Sequence, residues 1–146
     1  MAFAQTPEKG WHVDYLGVPY LWRGRAPDPG WDCWGMIRFC HDRHFGFLSP
    51  DRSDLYSARA DALPRREKFK LQAQLLREYR GEWQKIEAPI MGAVLLLKVD
   101  DLPVHVGLSL GDRTFLHVTK TQSTHVATLG DGVWDLKKVE GIYVPR

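Results

Sequence analysis

The apolar residues of this chain keep a helical period in its first half and a strand period in its second. From Cys33 the run Cys-Trp-Gly-Met-Ile-Arg-Phe-Cys-His-Asp-Arg-His-Phe-Gly sets Cys33, Met36, Ile37, Cys40 and His44 three and four residues apart, the spacing of one helix face. Asp32 stands where an N-cap belongs and Gly46 where a helix stops, so Cys33 is expected in a first turn. Ahead of it, Trp11 to Leu16 reads as a short helix ended by Gly17, and Val18-Pro19 as extended chain leading to Tyr20-Leu21-Trp22. Arg23 to Trp31, rich in Gly and Pro, reads as loop. Residues 47 to 66 are polar and carry Pro50 and Pro64; a second helix is expected from about Glu67 to Tyr79, closed by Gly81.

From Gly92 onward the pattern alternates. Strands are expected at Ala93 to Lys98, Val104 to Leu110, Thr114 to Val118, Thr124 to Leu129 and Val139 to Val144, with turns at Asp100 to Pro103, Gly111-Asp112 and Gly130 to Gly132. Helices first and strands second argue an α+β fold, one antiparallel sheet with helices packed on one face. In the second of these strands Val106, Leu108 and Leu110 face one way and His105, Gly107 and Ser109 the other. In the third, Leu116 and Val118 oppose Phe115 and His117. Matching apolar set to apolar set requires paired residue numbers with an even sum, such as 105 opposite 117, and an odd connection, Leu110-Gly111-Asp112 with Gly111 left-handed. His105 and His117 then share a face. A two-residue Gly111-Asp112 turn would set 105 opposite 118 and separate them.

Composition narrows the class. The 146 residues, 44% hydrophobic and 26% charged, suit a single domain over residues 1–146. A net charge of +2 does not indicate a nucleic-acid binder, and the basic stretch Arg65 to Lys70 reads as a solvated helix face. The N-terminus lacks the basic and apolar regions of a signal peptide, and the run Ala93 to Leu97 is far too short for a membrane span. Synthesis in the cytoplasm without membrane insertion is the expectation.

The two cysteines, Cys33 and Cys40, are seven residues apart. On a helix that is about 10 Å of rise, too far for a disulfide, so both are expected as free thiols. His41 and His44 invite a zinc site, but Cys40 and His41 point different ways on a helix, and no metal or other cofactor is expected. The chemistry concentrates at Cys33. A thiol at a helix start meets unpaired N–H groups and the positive end of the dipole, which favour thiolate. His105 supplies a base and His117 a group to hold its far nitrogen. The plainer reading keeps Cys33 as a small buried hydrophobe and the histidines as locally satisfied. Gly35 either opens the approach to the sulfur or permits close packing of the helix.

These residues carry a resemblance. Tyr15-Leu16-Gly17-Val18-Pro19-Tyr20-Leu21-Trp22-Arg23-Gly24, Asp32-Cys33-Trp34-Gly35-Met36, Gly92-Ala93-Val94-Leu95, His105-Val106-Gly107-Leu108 and Phe115-Leu116-His117-Val118 together resemble the NlpC-like cysteine peptidases of bacterial cell walls, in particular the single-domain versions of phage tail tips and phage-derived particles. The likeness runs from about residue 10 to Tyr143. It implies a papain-like α+β fold with Cys33 as nucleophile, His105 as general base and His117 as third, orienting residue. It also implies Tyr20 beside the nucleophile, in the oxyanion site or on substrate, and Asp32 as the acid before the cysteine, unless it is only a cap. Trp34 replaces the serine many members carry after the cysteine and would change one wall of the cleft, next to Gly35.

The expected activity is hydrolysis of an amide in peptidoglycan stem peptides, in a tail-tip component that the particle itself delivers alongside other tail-tip or baseplate proteins. Two rivals stand beside it. One is a structural tail-tip subunit with an occluded site, in which Trp11, Trp22, Trp31 and Trp34 line an interface instead of a cleft. The other is acyl transfer from the same thioester to an amine.

Overall fold

The computed structural model describes residues 3–49, 83–99 and 101–146; the expected helix Glu67 to Tyr79 and residues 50–66 of the polar stretch lie outside them. Trp11–Tyr15 forms a short 3-10 helix, and Gly17 follows at φ 89. Two short strands, β1 (Arg25–Ala26) and β2 (Gly30–Trp31), pair within the expected loop. Helix α1 (Cys33–Cys40) continues into a wider π-type turn, His41–Phe45, and ends at Gly46 in the left-handed region, so the helical segment has the extent its apolar spacing requires.

The remaining strands are β3 (Trp83–Ile86), β4 (Val94–Val99), β5 (Leu102–Gly111), β6 (Thr114–Thr119), β7 (Gln122–Thr128) and β8 (Val139–Pro145). They form one antiparallel sheet in the order β3-β8-β4-β5-β6-β7. Strand β3, only four residues long and half polar, was not expected from the pattern; it lies at the sheet edge along β8. Helix α1 lays Trp34, Met36, Ile37 and Cys40 on one sheet face, against Val94, Leu96, Val106, Leu108, Leu116 and Val118. Burying each aliphatic chain of this kind is worth about 1.5–3 kcal/mol. The other face carries a second cluster, Leu95, Leu97, Phe115 and Leu129, with Trp134 packed on it.

The register of β5 on β6 has the expected even sum by a different route. The turn is Asp112-Arg113, both at positive φ (48 and 68), closed by the pair Gly111 and Thr114. A bulge between Ser109 and Gly111 then restores Ser109 opposite Phe115 and Leu108 opposite Leu116. The expected three-residue connection, with 105 opposite 117, is therefore corrected: one bulged residue supplies the parity that the turn does not, and the strands sit two residues further along. Pairing with β6 begins at Leu108, whereas β5 stays paired with β4 back to Leu102. The two strands consequently diverge beside His105 and Val106.

Candidate active site

Asp32 builds the helix start. One carboxylate oxygen accepts the Gly35 N–H at 2.7 Å and the Arg25 guanidinium at 3.0 Å, and the other accepts the Arg23 N–H at 3.2 Å. The residue is 3% exposed, so it acts as cap and as anchor of the β1 loop together. Gly35 is explained by the same contact: a Cβ there would overlap the Gly24 carbonyl oxygen, so the glycine lets the loop lie on the first turn. Trp34 is buried edge-on against Trp83, with ring centroids 6.1 Å apart, and Trp31 is completely buried. The expectation that these two indoles line a cleft or an interface is corrected; both are core.

Cys33 is partly buried and, like Cys40, a free thiol. Backbone N–H groups of Val106, Trp34 and Cys33 itself aim at its sulfur. The Val106 contact follows from the sheet. Ser109 bonds Gly92 and Ala93 on the β4 side, so by alternation Val106 directs its N–H toward β6, where pairing has not begun. The sulfur thus sits at the split between β5 and β6, one residue from His105. His105 and His117 alternate out of the face that α1 covers, and their rings meet, Nε2 of His105 lying 3.0 Å from Nδ1 of His117.

Electrostatics opposes the thiolate that the helix start favours. Desolvation, then the Asp32 charge, push the thiol up to about 12, and the three N–H groups only offset part of this. Burial, aided by the charge of His125, lowers His105 to about 4; burial, then His105 and His125, lower His117 to about 3. The resting pair is therefore neutral thiol and neutral imidazole. Tyr20 is half-buried within electrostatic reach of Cys33 and Asp32, and its hydroxyl is held protonated by burial and by those two groups.

Two residues at the site were not singled out from the sequence. Trp134, in the 3-10 turn Gly132–Trp134, stacks on His105 at 5.6 Å and 24° and meets His117 edge-on at 5.3 Å. His125 on β7 pairs directly with His117, their ring centroids 4.1 Å apart. The hairpin turn at Lys120-Thr121 pairs Thr119 with Gln122 and by itself would set 117 opposite 124; a bulge between His117 and Thr119 brings His125 opposite instead, and the sequence carries no signal for it. Two other histidines do different work. His41 is buried against Gly92 O at 2.8 Å, and His44 meets the Tyr15 hydroxyl at 2.7 Å. Among the described residues no cluster of three or more His, Cys, Asp or Glu has the arrangement of a metal site, and no helix is long and apolar enough to cross a membrane.

A cysteine near a helix N-terminus, packed on an antiparallel sheet that presents paired histidines, defines a papain-like, NlpC-like arrangement. The sequence profile of the NlpC/P60 family matches residues 17–142, and the chain belongs to that family. Similar solved structures include the NlpC/p60 domain of the peptidoglycan hydrolase SagA, at 20% identity and TM-score 0.52 over 80% of this chain and 81% of that one. A Staphylococcus aureus protein described as similar to lipoprotein, of the same family, matches at 15% identity and TM-score 0.58 over 97% of this chain. A Bacillus cereus NlpC/P60 family protein matches at 18% identity and TM-score 0.60 over 96%. The chain spans 44% and 41% of the length of these last two. Curated proteins give no match. At such identities the likeness establishes the fold alone.

Proposed function

We propose that this protein is a cysteine peptidase that hydrolyses amide bonds in peptidoglycan stem peptides, with Cys33 as nucleophile, His105 as base and His117 as orienting group. The observation that carries the reading is the Cys33 sulfur lodged against the Val106 N–H, one residue from an imidazole whose far nitrogen is already engaged by His117. His105 accepts the thiol proton as sulfur bonds to the substrate carbonyl carbon, and the carbonyl electron pair moves to oxygen. The Cys33 N–H and the Tyr20 hydroxyl are suited to receive that oxyanion. The C–N bond then breaks as His105 returns its proton to the leaving nitrogen. Water attacks the thioester, giving one proton to His105, and the sulfur leaves and recovers it. The likeness to the domain of SagA, named a peptidoglycan hydrolase, supports the substrate class. Delivery by a phage or phage-like tail particle, beside other tail-tip or baseplate proteins, is the part of the proposal that rests on the motif resemblance, Trp after the nucleophile included.

Purified cell walls incubated with the protein should release soluble muropeptides, and Cys33→Ala should abolish the release. Equal release by both proteins overturns the assignment. Products extended by an added amine would identify transfer in place of hydrolysis.

A further inference from the structure

The histidine pair of the proposed site is not a pair. Strand β7 sets His125 directly opposite His117, with ring centroids 4.1 Å apart and planes at 53°. His117 spends Nδ1 on His105, and its Nε2 is buried with no hydrogen-bond partner among the described residues. His125 Nδ1 lies 2.7 Å from the Ser123 carbonyl oxygen, which can only accept, so this nitrogen carries a hydrogen in both charge states. The second nitrogen, Nε2, is the one free to gain or lose a proton. The ring is partly exposed, whereas His117 is 1% and His105 8% exposed. The three rings run in a row from solvent to the base, one from each of β7, β6 and β5.

We propose that His125 is a positioning residue for the site, packing against His117 and setting by its own charge how readily His105 accepts the proton of Cys33. This rests on His105 being the base. The titratable groups that face His125 are His117 on the adjacent strand and, behind it, His105; among the described residues no carboxylate is a charge partner of either of these two rings. When His125 is neutral the imidazolium formed at His105 during attack meets no cation along the row. When His125 is protonated the two like charges oppose each other across His117, in surroundings where burial already disfavours charge. Proton transfer from sulfur to His105 is slowed although His105 itself is still unprotonated. The charge on the outer ring is thereby coupled to amide hydrolysis at the inner one.

The test is the pH profile of kcat/KM on a soluble stem-peptide substrate, for wild type, His125→Phe and His125→Gln, each normalised to its own maximum. Wild type should lose activity on the acid side in two steps: a partial loss of about three- to tenfold, then complete loss at lower pH as His105 takes a proton. Both variants should lose the first step and keep the second. Folding is checked by near-ultraviolet circular dichroism, and Gln serves where Phe perturbs packing. Superimposable profiles in all three proteins overturn the proposal. A second readout does not need activity: in the Cys33→Ser background, ring nitrogen NMR of His117 should move as His125 titrates and should lose that inflection in His125→Phe. Coupling without hydrolysis would refute the peptidase reading and leave the histidine row standing; hydrolysis without coupling would refute the row alone.

Discussion

Nε2 of His105 lies 3.0 Å from Nδ1 of His117, and that contact decides which nitrogen of His105 faces the chemistry. If Nε2–H donates, Nδ1 of His105 keeps a lone pair and serves as a base, and His117 must hold its own proton on the buried, unpartnered Nε2. The reverse direction would leave His105 with Nδ1–H and no base. An orphaned N–H of this kind costs about 1–3 kcal/mol, which the fold offsets through the packing of Phe115 and Trp134 around the ring. His117→Ala should therefore lower kcat by about 100-fold. His117→Asn, which retains an acceptor, should recover part of it with KM little changed. Equal kcat in both variants would mean that the contact does not orient the base.

The first turn of α1 supplies a prediction about stability. Gly35→Ala places a methyl group where the Gly24 carbonyl now lies, so the loop must lift off and take the Arg23 and Arg25 contacts to Asp32 with it. Urea unfolding should show a loss of about 2–3 kcal/mol, despite the gain in helix propensity from alanine. Asp32→Asn keeps an acceptor for Gly35 N–H and should cost less than Asp32→Ala, which forfeits the cap, about 1 kcal/mol or more. If Gly35→Ala is neutral, the loop is not pressed on the helix in solution.

How much of this was legible in the sequence varies with the range of the cause. The helix from Cys33 and its stop at Gly46 follow from local spacing, and the antiparallel sheet from alternation. The shared face of His105 and His117 followed from parity alone, although the turn that realises it was misread. Asp112 and Arg113 carry no glycine to announce their left-handed backbone, and a bulge leaves no compositional mark. The state of Cys33 was not legible for a different reason. Helix position argues for thiolate, whereas desolvation and the charge of Asp32 depend on what packs around the turn. Trp31 and Trp34 could not be sorted into core or cleft without that packing, and Trp134 reaches His105 from a turn far along the chain.

Acid should weaken the fold through His41. Burial lowers this ring from 6.5 to about 4, only partly opposed by its bond to the Gly92 carbonyl. The folded state therefore resists a proton that the unfolded chain accepts. Its contribution to stability is complete above about pH 6.5 and is lost as pH falls from there toward 4, by up to about 1.4 kcal/mol per pH unit. His105 and His117, lowered in the same direction, add to the slope. Urea midpoints measured at about pH 7 and pH 5 should fall for wild type, and His41→Gln should reduce the difference by about 1–2 kcal/mol. An unchanged difference would place the acid sensitivity elsewhere.

Alkylation of Cys33 reports directly on the resting site. With the thiol pushed up to about 12 and His105 neutral down to about 4, no thiolate–imidazolium pair stands ready at neutral pH. The rate with iodoacetamide should be slow near neutrality and rise about tenfold per pH unit through the alkaline range, because each unit multiplies the thiolate fraction by that factor. Cys40, fully buried in the core, does not compete. Removing the neighbouring charge with Asp32→Asn should raise the rate severalfold at every pH in that range, since Asp32 is the second largest cause of the high value. A rate that instead levels off between about pH 5 and 8 would reveal a preformed ion pair. The nucleophile would then be activated before substrate arrives, and neither the concerted proton transfer to His105 nor its control by His125 would be needed.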